Sequence, residues 1–440
     1  LEKVREQLQV RKERAVLVGV VHKRNEGYKG DNLAELTALA ETAGAIVVDR
    51  FMQKMSRPTP GTYIGSGKAE MLGERVAHFK ADVVIFDNDL SPGQIRELEK
   101  IVKAKVLDRS ELILDIFATR ARTKQAKLQV ELAQLQYTYP RLTRMWSHLD
   151  TVTGAAGAGA AGATGGIGTR GTGEKQLEID RRIVSKRITE LKRELAEIDL
   201  RKMREIAGRR DMFKICLVGY TNAGKSTLMN ALTDAGVFVE DRLFATLDTR
   251  TRKWAVDAGA EVLLSDTVGF VNHLPHHLVA SFKATLEEAV NADLLLHVVD
   301  ASSENLFEQM DSVGTVLREI GCGKKDTIVL LNKADVIRNQ SMVESAQTVH
   351  PEAICISART GMNLEEVGRR VLLKYRGTEV HVRVRGSAGN GRLQSFLRTH
   401  SKILREEYSE SNVLVEARMG PAQLLMLKKL DPGAIELLEG

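Results

Sequence analysis

The run Phe213-Lys-Ile-Cys-Leu-Val218 leads directly into Gly219-Tyr220-Thr221-Asn222-Ala223-Gly224-Lys225-Ser226, which leads into Thr227-Leu-Met-Asn-Ala-Leu232. An apolar strand, a glycine-rich loop and a helix-forming run in that order are what a phosphate-binding P-loop requires. The loop's backbone N–H groups and the helix N-terminus form a cradle for anions. Lys225 reaches toward the β- and γ-phosphates of a nucleoside triphosphate, and the Ser226 hydroxyl is a ligand for Mg²⁺. The stretch predicts a P-loop domain of α/β class with a mixed, mostly parallel sheet.

The base is read further along, where the strand-like Thr327 to Leu331 ends in Asn332-Lys333-Ala334-Asp335. The Asp335 carboxylate accepts two hydrogen bonds from guanine, whereas adenine offers it none. A site built to pair a polar group rejects analogues lacking it by about 10⁴-fold or more. Asn332 bridges base and P-loop backbone, and the aliphatic stem of Lys333 covers the base face. Ile354 to Ile356 then runs into Ser357-Ala358-Arg359, whose backbone meets the guanine carbonyl oxygen.

Two elements lie between loop and base reader. Val262 to Ser265 ends in Asp266-Thr267-Val268-Gly269, the switch II position, where Asp266 holds Mg²⁺ through a water and the Gly269 amide senses the γ-phosphate. Upstream, Phe244-Ala245-Thr246-Leu247-Asp248 is the switch I candidate, with Thr246 as Mg²⁺ ligand and Thr249 and Thr251 as nearby alternatives. Taken together, these elements predict GTP binding and hydrolysis. Phe270 stands where many GTPases carry the glutamine that orients the attacking water, and no side-chain base is identified. Turnover is therefore expected to be slow and stimulated by a partner. Asn222 either steadies the loop in an Asx-type turn or helps hold K⁺ against the phosphates.

The chain has 440 residues, a length that suggests several domains, and 43% hydrophobic with 28% charged residues is ordinary for a globular protein. No apolar stretch reaches the roughly 18 residues of a membrane span. The expectation is a cytoplasmic monomer, with association at a membrane surface left open. The chain begins with Leu1, so its natural start is expected upstream. Cys216, Cys322 and Cys355 are far apart and odd in number, which favours buried thiols over a metal site or disulfide.

The net charge of +6 is unevenly distributed. Residues 116–210 carry 19 Lys and Arg against 10 Asp and Glu, which leaves the remainder slightly acidic. Apolar residues recur there at helical spacing: Leu128, Leu132, Leu135, Tyr139 and Leu142, then Leu177, Val184, Ile188, Leu191, Leu195 and Ile198. They predict an antiparallel helical pair whose connector is the Gly/Ala-rich stretch 153–173. Basic helices with a cationic tip suit RNA phosphates, and they equally describe a solvated coiled-coil face. Trp146, Tyr137 and Tyr139 either stack on bases or pack.

Residues 1–115 alternate strands (Ala15 to Val21, Ala45 to Val48, Val83 to Asp87, Lys105 to Asp108) with helical runs, a small α/β domain. Its Tyr63-Ile-Gly-Ser-Gly-Lys68 is not a standard P-loop: Gly61 to Gly67 is one residue too long, and Ala69 stands where Ser or Thr is needed. It reads as a turn opening a helix near Lys68, with a basic phosphate-facing loop as the alternative, for RNA or a weak second nucleotide such as ATP. Residues 378–440 predict strands at Glu379 to Arg385 and Asn412 to Ala417, with helices near 391–407 and 421–430. The expected order is thus an α/β domain (1–115), a helical arm (116–211), the GTPase domain (212–377) and a small α+β domain (378–440).

Several long stretches together resemble the HflX-type GTPases of the translation-factor-related class. They include Tyr63 to Lys68, Asp108-Arg-Ser-Glu-Leu-Ile-Leu-Asp115, Lys127-Leu-Gln-Val-Glu-Leu-Ala-Gln-Leu135, Gly165-Gly-Ile-Gly-Thr-Arg-Gly-Thr-Gly-Glu-Lys-Gln-Leu-Glu178, Gly219 to Ser226, Phe244 to Asp248 and Asp266-Thr-Val-Gly-Phe270. The resemblance implies an α/β and helical region before the GTPase domain. It also implies association with ribosomes, chiefly the large subunit and its RNA, and in some members subunit splitting. It supports Ser226 and Thr246 as Mg²⁺ ligands. Thr172 and Lys175 depart from the family's Pro and Thr, the insertion 154–163 is unusual, and the C-terminal part matches poorly. An alternative reading is an RNA-binding ribosome-assembly factor for which GTP is chiefly a regulatory ligand.

Overall fold

The computed structural model describes residues 13–22, 33–142, 172–207, 212–233, 243–244, 250–257, 260–271, 288–377, 380–409, 411–428, 430 and 434–438. The Gly/Ala-rich stretch, Trp146 and switch I residues Ala245 to Asp248 lie outside them. The described residues form two compact units. One comprises 13–198 with 243–244, the other 199–233, 250–271 and everything from 288 onward.

The first unit opens with β1 (Arg14–His22), α1 (Ala34–Ala43), β2 (Ile46–Met55), α2 (Ser66–Phe79), β3 (Val83–Phe86), α3 (Pro92–Val102) and β4 (Lys105–Leu107). The strands form a parallel sheet in the order β2-β1-β3-β4. Its apolar runs are buried on both faces: Val83, Val84, Ile85 and Phe86 are fully covered. Local signals set the helix starts. Ser91 and Gln94 make a capping box for α3, and Asp108 caps α4 (Arg109–Arg120) through the Glu111 N–H. The turn at Tyr63 to Gly65 does open a helix: Ile64 is buried, and the Gly65 N–H donates to Gln53 Oε1 at 3.2 Å.

The helical pair is α5 (Lys124–Thr138) and α6 (Thr172–Ala207). Leu128, Leu132, Leu135 and Leu142 pack with Val184, Leu191 and Leu195, joined by Ile188 and Ile198. Arg187 and Glu131 pair across the seam through two hydrogen bonds, at 3.0 and 3.1 Å. Tyr139 departs from the expectation. Pro140 follows it, the helix ends at Thr138, and Tyr139 falls in a 3₁₀ turn at 37% exposure. Phe244 belongs to this unit: its ring meets Phe117 of α4 edge to face at 4.6 Å.

The second unit carries β5 (Lys214–Gly219), α7 (Lys225–Thr233), β6 (Arg250–Asp257), β7 (Ala260–Asp266), β8 (Leu294–Asp300), α8 (Leu306–Glu319), β9 (Thr327–Asn332), α9 (Gln340–Val349), β10 (Ile354–Cys355) and α10 (Leu364–Gly377). Six strands order as β10-β9-β8-β5-β7-β6, parallel throughout except for the antiparallel edge pair β6 and β7. This is the mixed, mostly parallel sheet expected. Ile215, Leu217, Leu264, Leu294, Leu296, Val298 and Leu330 form its core with Leu228 and Met229 of α7.

The C-terminal segment adds β11 (Val380–Ser387), α11 (Gly391–His400), β12 (Lys402–Tyr408), β13 (Asn412–Met419), α12 (Pro421–Lys428) and β14 (Ala434–Leu438). They make an antiparallel sheet, β12-β13-β11-β14. The helix expected near 391–407 stops at His400, and its last part is the edge strand β12 instead. Cys216 and Cys322 are buried and Cys355 half-buried, all three free thiols. Among the described residues no helix is long and apolar enough to cross a membrane.

Candidate functional site

The site gathers at the C-terminal ends of β5, β7 and β9, the side of an open parallel sheet where helix N-termini point and ligands bind. Gly219 ends β5, the loop turns through Asn222 at φ 61° and Gly224 at φ 94°, and α7 begins at Lys225. A side chain at Gly224 has no room: its Cβ would lie 2.3 Å from Asn332 Nδ2. Lys225 is 6% exposed and folds back over the loop, donating to the carbonyls of Gly219 at 3.0 Å and Tyr220 at 2.8 Å. Burial lowers its ammonium to about 8, opposed by the charge of Asp266.

Asp266 ends β7 fully buried, and the Ser226 hydroxyl donates to its Oδ2 at 2.6 Å. Its Oδ1 is buried with no hydrogen-bond partner. Burial raises this carboxyl, while Lys225 and the Ser226 hydrogen bond oppose the shift. An orphaned carboxylate oxygen beside a serine hydroxyl, both hard oxygen donors, fits Mg²⁺. Thr246, the expected third participant, lies outside the described residues.

Switch II continues from Asp266 along the loop. The Phe270 N–H donates to Gly219 O at 3.1 Å, and the Thr221 N–H donates to Phe270 O at 2.7 Å, so the backbones pair like one more step of sheet. The Thr267 hydroxyl donates to Leu217 O at 2.7 Å. Phe270 is buried, its ring serving as packing rather than facing water.

The residues expected to read the base are joined to this loop by one side chain, that of Asn332. Asn332, 2% exposed, donates from Nδ2 to Ala223 O at 2.8 Å and accepts at Oδ1 from the Ala358 N–H at 2.9 Å. Lys333 takes φ 64° and its Nζ pairs with Asp300 Oδ2 at 2.7 Å. The Ser357 hydroxyl donates to Asp335 Oδ1 at 2.7 Å, and chiefly for that reason the Asp335 carboxyl lies below its usual range. Asp335 and Arg359 are exposed. Ala334 is half-buried between them, its N–H donating to Ile356 O at 3.0 Å. Asn222, the candidate K⁺ ligand, is also exposed. Asp300 was not anticipated from sequence, although an acidic residue closing the run His297-Val-Val-Asp300 one strand over is the signal that could have found it.

Comparisons with known proteins agree along the chain. A family described as GTP-binding GTPase N-terminal matches residues 30–118, GTP-binding GTPase Middle Region matches 120–209, and 50S ribosome-binding GTPase matches 214–333. GTPase HflX of Lacrimispora saccharolytica is 43% identical over 94% of this chain and 94% of its own. GTPase HflX of Escherichia coli is 39% identical over 97% of this chain and 98% of its own. A crystallised GTP-binding protein from Sulfolobus solfataricus, in complex with GDP, is 26% identical over 82% of this chain and 98% of that chain, with a TM-score of 0.42. With relatives of 39–43% identity along nearly their whole length and family models matched from residue 30 to 333, this chain belongs to the HflX family of GTPases.

Proposed function

We propose that this GTPase binds the ribosome, chiefly the large subunit, in a GTP-gated manner, and that hydrolysis times its release. The observation that carries the reading is the match of residues 214–333 to a family described as 50S ribosome-binding GTPase. The helical arm supports it: Arg122, Lys124, Lys127, Arg181, Arg182, Lys186, Lys192 and Arg193 are exposed, cations suited to RNA phosphates.

In this reading Ser226 and Thr246 ligate Mg²⁺ and Asp266 holds it through a water. Bound Mg²⁺ supplies charge neutralisation between the phosphates. GTP orders Thr246 and Gly269, and because Phe244 is packed on Phe117, reordering of Thr246 disturbs that contact. Asn332, Lys333, Ala334, Asp335, Ser357, Ala358 and Arg359 read guanine. Asn222 helps hold K⁺, whose charge substitutes for an arginine finger. The protein works as a cytoplasmic monomer, and splitting of ribosomes is the action its binding would serve. Residues 1–115, 116–211, 212–377 and 378–440 act as its four domains.

The test is steady-state phosphate release from GTP and ATP, in K⁺ and in Na⁺, with and without large ribosomal subunits. Strong stimulation by subunits, selective for GTP, is expected, with a K⁺ requirement assigning Asn222. Rates indifferent to subunits would defeat the ribosome-coupled mechanism.

A further inference from the structure

We propose that the Thr221 hydroxyl holds the attacking water during GTP hydrolysis, the task a glutamine at Phe270 would otherwise perform. The inference rests on the reading of this chain as a GTP hydrolase and adds a residue to it.

Three observations converge on Thr221. Its backbone is fixed against switch II by the 2.7 Å hydrogen bond to Phe270 O. It is the P-loop residue that abuts the switch II glycine: a Cβ built on Gly269 would lie 2.7 Å from Thr221 Cα, 2.8 Å from Thr221 Cγ2 and 3.0 Å from Lys225 Nζ. The γ-phosphate sensor, the P-loop lysine and the Thr221 side chain thus share one small space. Finally, Thr221 is only 6% exposed, yet its Oγ1 has no hydrogen-bond partner. Buried hydroxyls nearly always find a partner, so an orphan at a reaction site asks for a functional explanation. Phe270, in contrast, contributes only its backbone, and its ring has no polar atom to offer.

In the reaction, the water oxygen forms a bond to the γ-phosphorus while the bond from phosphorus to the β,γ-bridging oxygen breaks. The electron pair of that bond stays on the β-phosphate of GDP. The water proton passes to an oxygen of the departing phosphate. Thr221 Oγ1 accepts a hydrogen bond from the water before attack and takes up no proton. Its contribution is alignment, which fixes the water in line with the breaking bond.

The experiment compares the full-length protein with Thr221→Val, which keeps shape and removes the hydroxyl, and Thr221→Ser, which keeps the hydroxyl. Single-turnover GTP hydrolysis, affinity for fluorescent (mant) GTP and thermal midpoint are measured for each. Thr221→Val is expected to slow turnover by about 10- to 100-fold with mant-GTP affinity within about threefold of the unaltered protein, and Thr221→Ser to recover most of the rate. If valine disturbs the fold, Thr221→Ala carries the same comparison. Hydrolysis by the hydroxyl-free variant within about threefold of the original overturns the proposal. So does a rate loss that merely tracks lost affinity, or a serine variant as slow as the valine one. Absence of GTP hydrolysis by the unaltered protein would defeat the hydrolase reading itself, an outcome distinct from the other three.

Discussion

Replacing Asn332 with alanine should uncouple the base reader from the P-loop. The side chain makes two hydrogen bonds across the site, to Ala223 O at 2.8 Å and from Ala358 N at 2.9 Å, and Asn332, Ala223 and Ala358 are all buried. Each buried hydrogen bond is worth about 1 kcal/mol net, and leaving a buried carbonyl and a buried N–H without partners costs about 1–3 kcal/mol apiece. The expected destabilisation is about 2–5 kcal/mol. If ligand binding must supply about 3 kcal/mol of this to re-form the loop, nucleotide affinity falls by about 100-fold, at 1.4 kcal/mol per tenfold. Urea unfolding of the nucleotide-free protein gives the first quantity and titration with mant-GDP the second. Asn332→Asp sharpens the comparison, because it keeps an acceptor for Ala358 but turns a carboxylate oxygen toward the Ala223 carbonyl, and it should bind no better than alanine. An Asn332→Ala protein that binds mant-GDP within about threefold of the original would refute the coupling.

Three other perturbations follow from the geometry. Asp335→Asn should cut mant-GDP affinity by about 100-fold or more and improve binding of xanthosine diphosphate, whose C2 carbonyl can accept from an amide; unchanged preference in competition titrations would remove Asp335 from base reading. His297 is buried, and burial first, then His350 and Lys225, hold its imidazole at about 4 against 6.5 when unfolded, so the unfolded chain binds the extra proton between those values. Its contribution, about 3 kcal/mol, is therefore intact above pH 6.5 and is lost as pH falls toward 4; His297→Leu should flatten that slope in urea unfolding at pH 7 and 4.5, and an unchanged slope counts against the assignment. Asp108, fully buried, accepts from Glu111 N at 2.9 Å, Leu90 N at 3.2 Å and Arg141 at 3.2 Å. Asp108→Ala should cost about 3–5 kcal/mol in the same assay, and a loss below 1 kcal/mol would show that Arg141 finds its own compensation.

What could be read from sequence was local, and what escaped was brought together by the fold. Gly219 to Ser226 and Asn332 to Asp335 are contiguous, so their chemistry is visible in the string itself, and β5, β7 and β9 end where the apolar runs end. Asp300 and Lys333 meet only because β8 and β9 are neighbours in register, Asp300 opposite Asn332. The Thr221 N–H meets the Phe270 carbonyl, far along the chain, only because the fold brings the two loops together. The strand β12 was read as helix because Lys402-Ile-Leu-Arg-Glu-Glu407 is rich in helix formers, yet pairing with β13 outweighs that preference at an edge where most side chains face solvent. Ser357 donates to Asp335 at the surface, a pairing of residues 22 apart that the fold brings about.

The same physics bears on two buried charged groups of this site. Lys225 and Asp266 are both withdrawn from water, and burial drives each toward its neutral form, lysine downward and aspartate upward. Their mutual attraction and the Ser226 hydroxyl oppose this only in part, since Asp266 Oδ1 has no partner. Buried charges without full compensation are destabilising, so such groups persist where something else completes them. A polyphosphate brings negative charge to Lys225, and the Mg²⁺ that accompanies it brings positive charge to Asp266. Anything that binds the folded state alone stabilises it by mass action. A charged occupant that completes Lys225 and Asp266 would thus tie the stability of this unit to nucleotide binding.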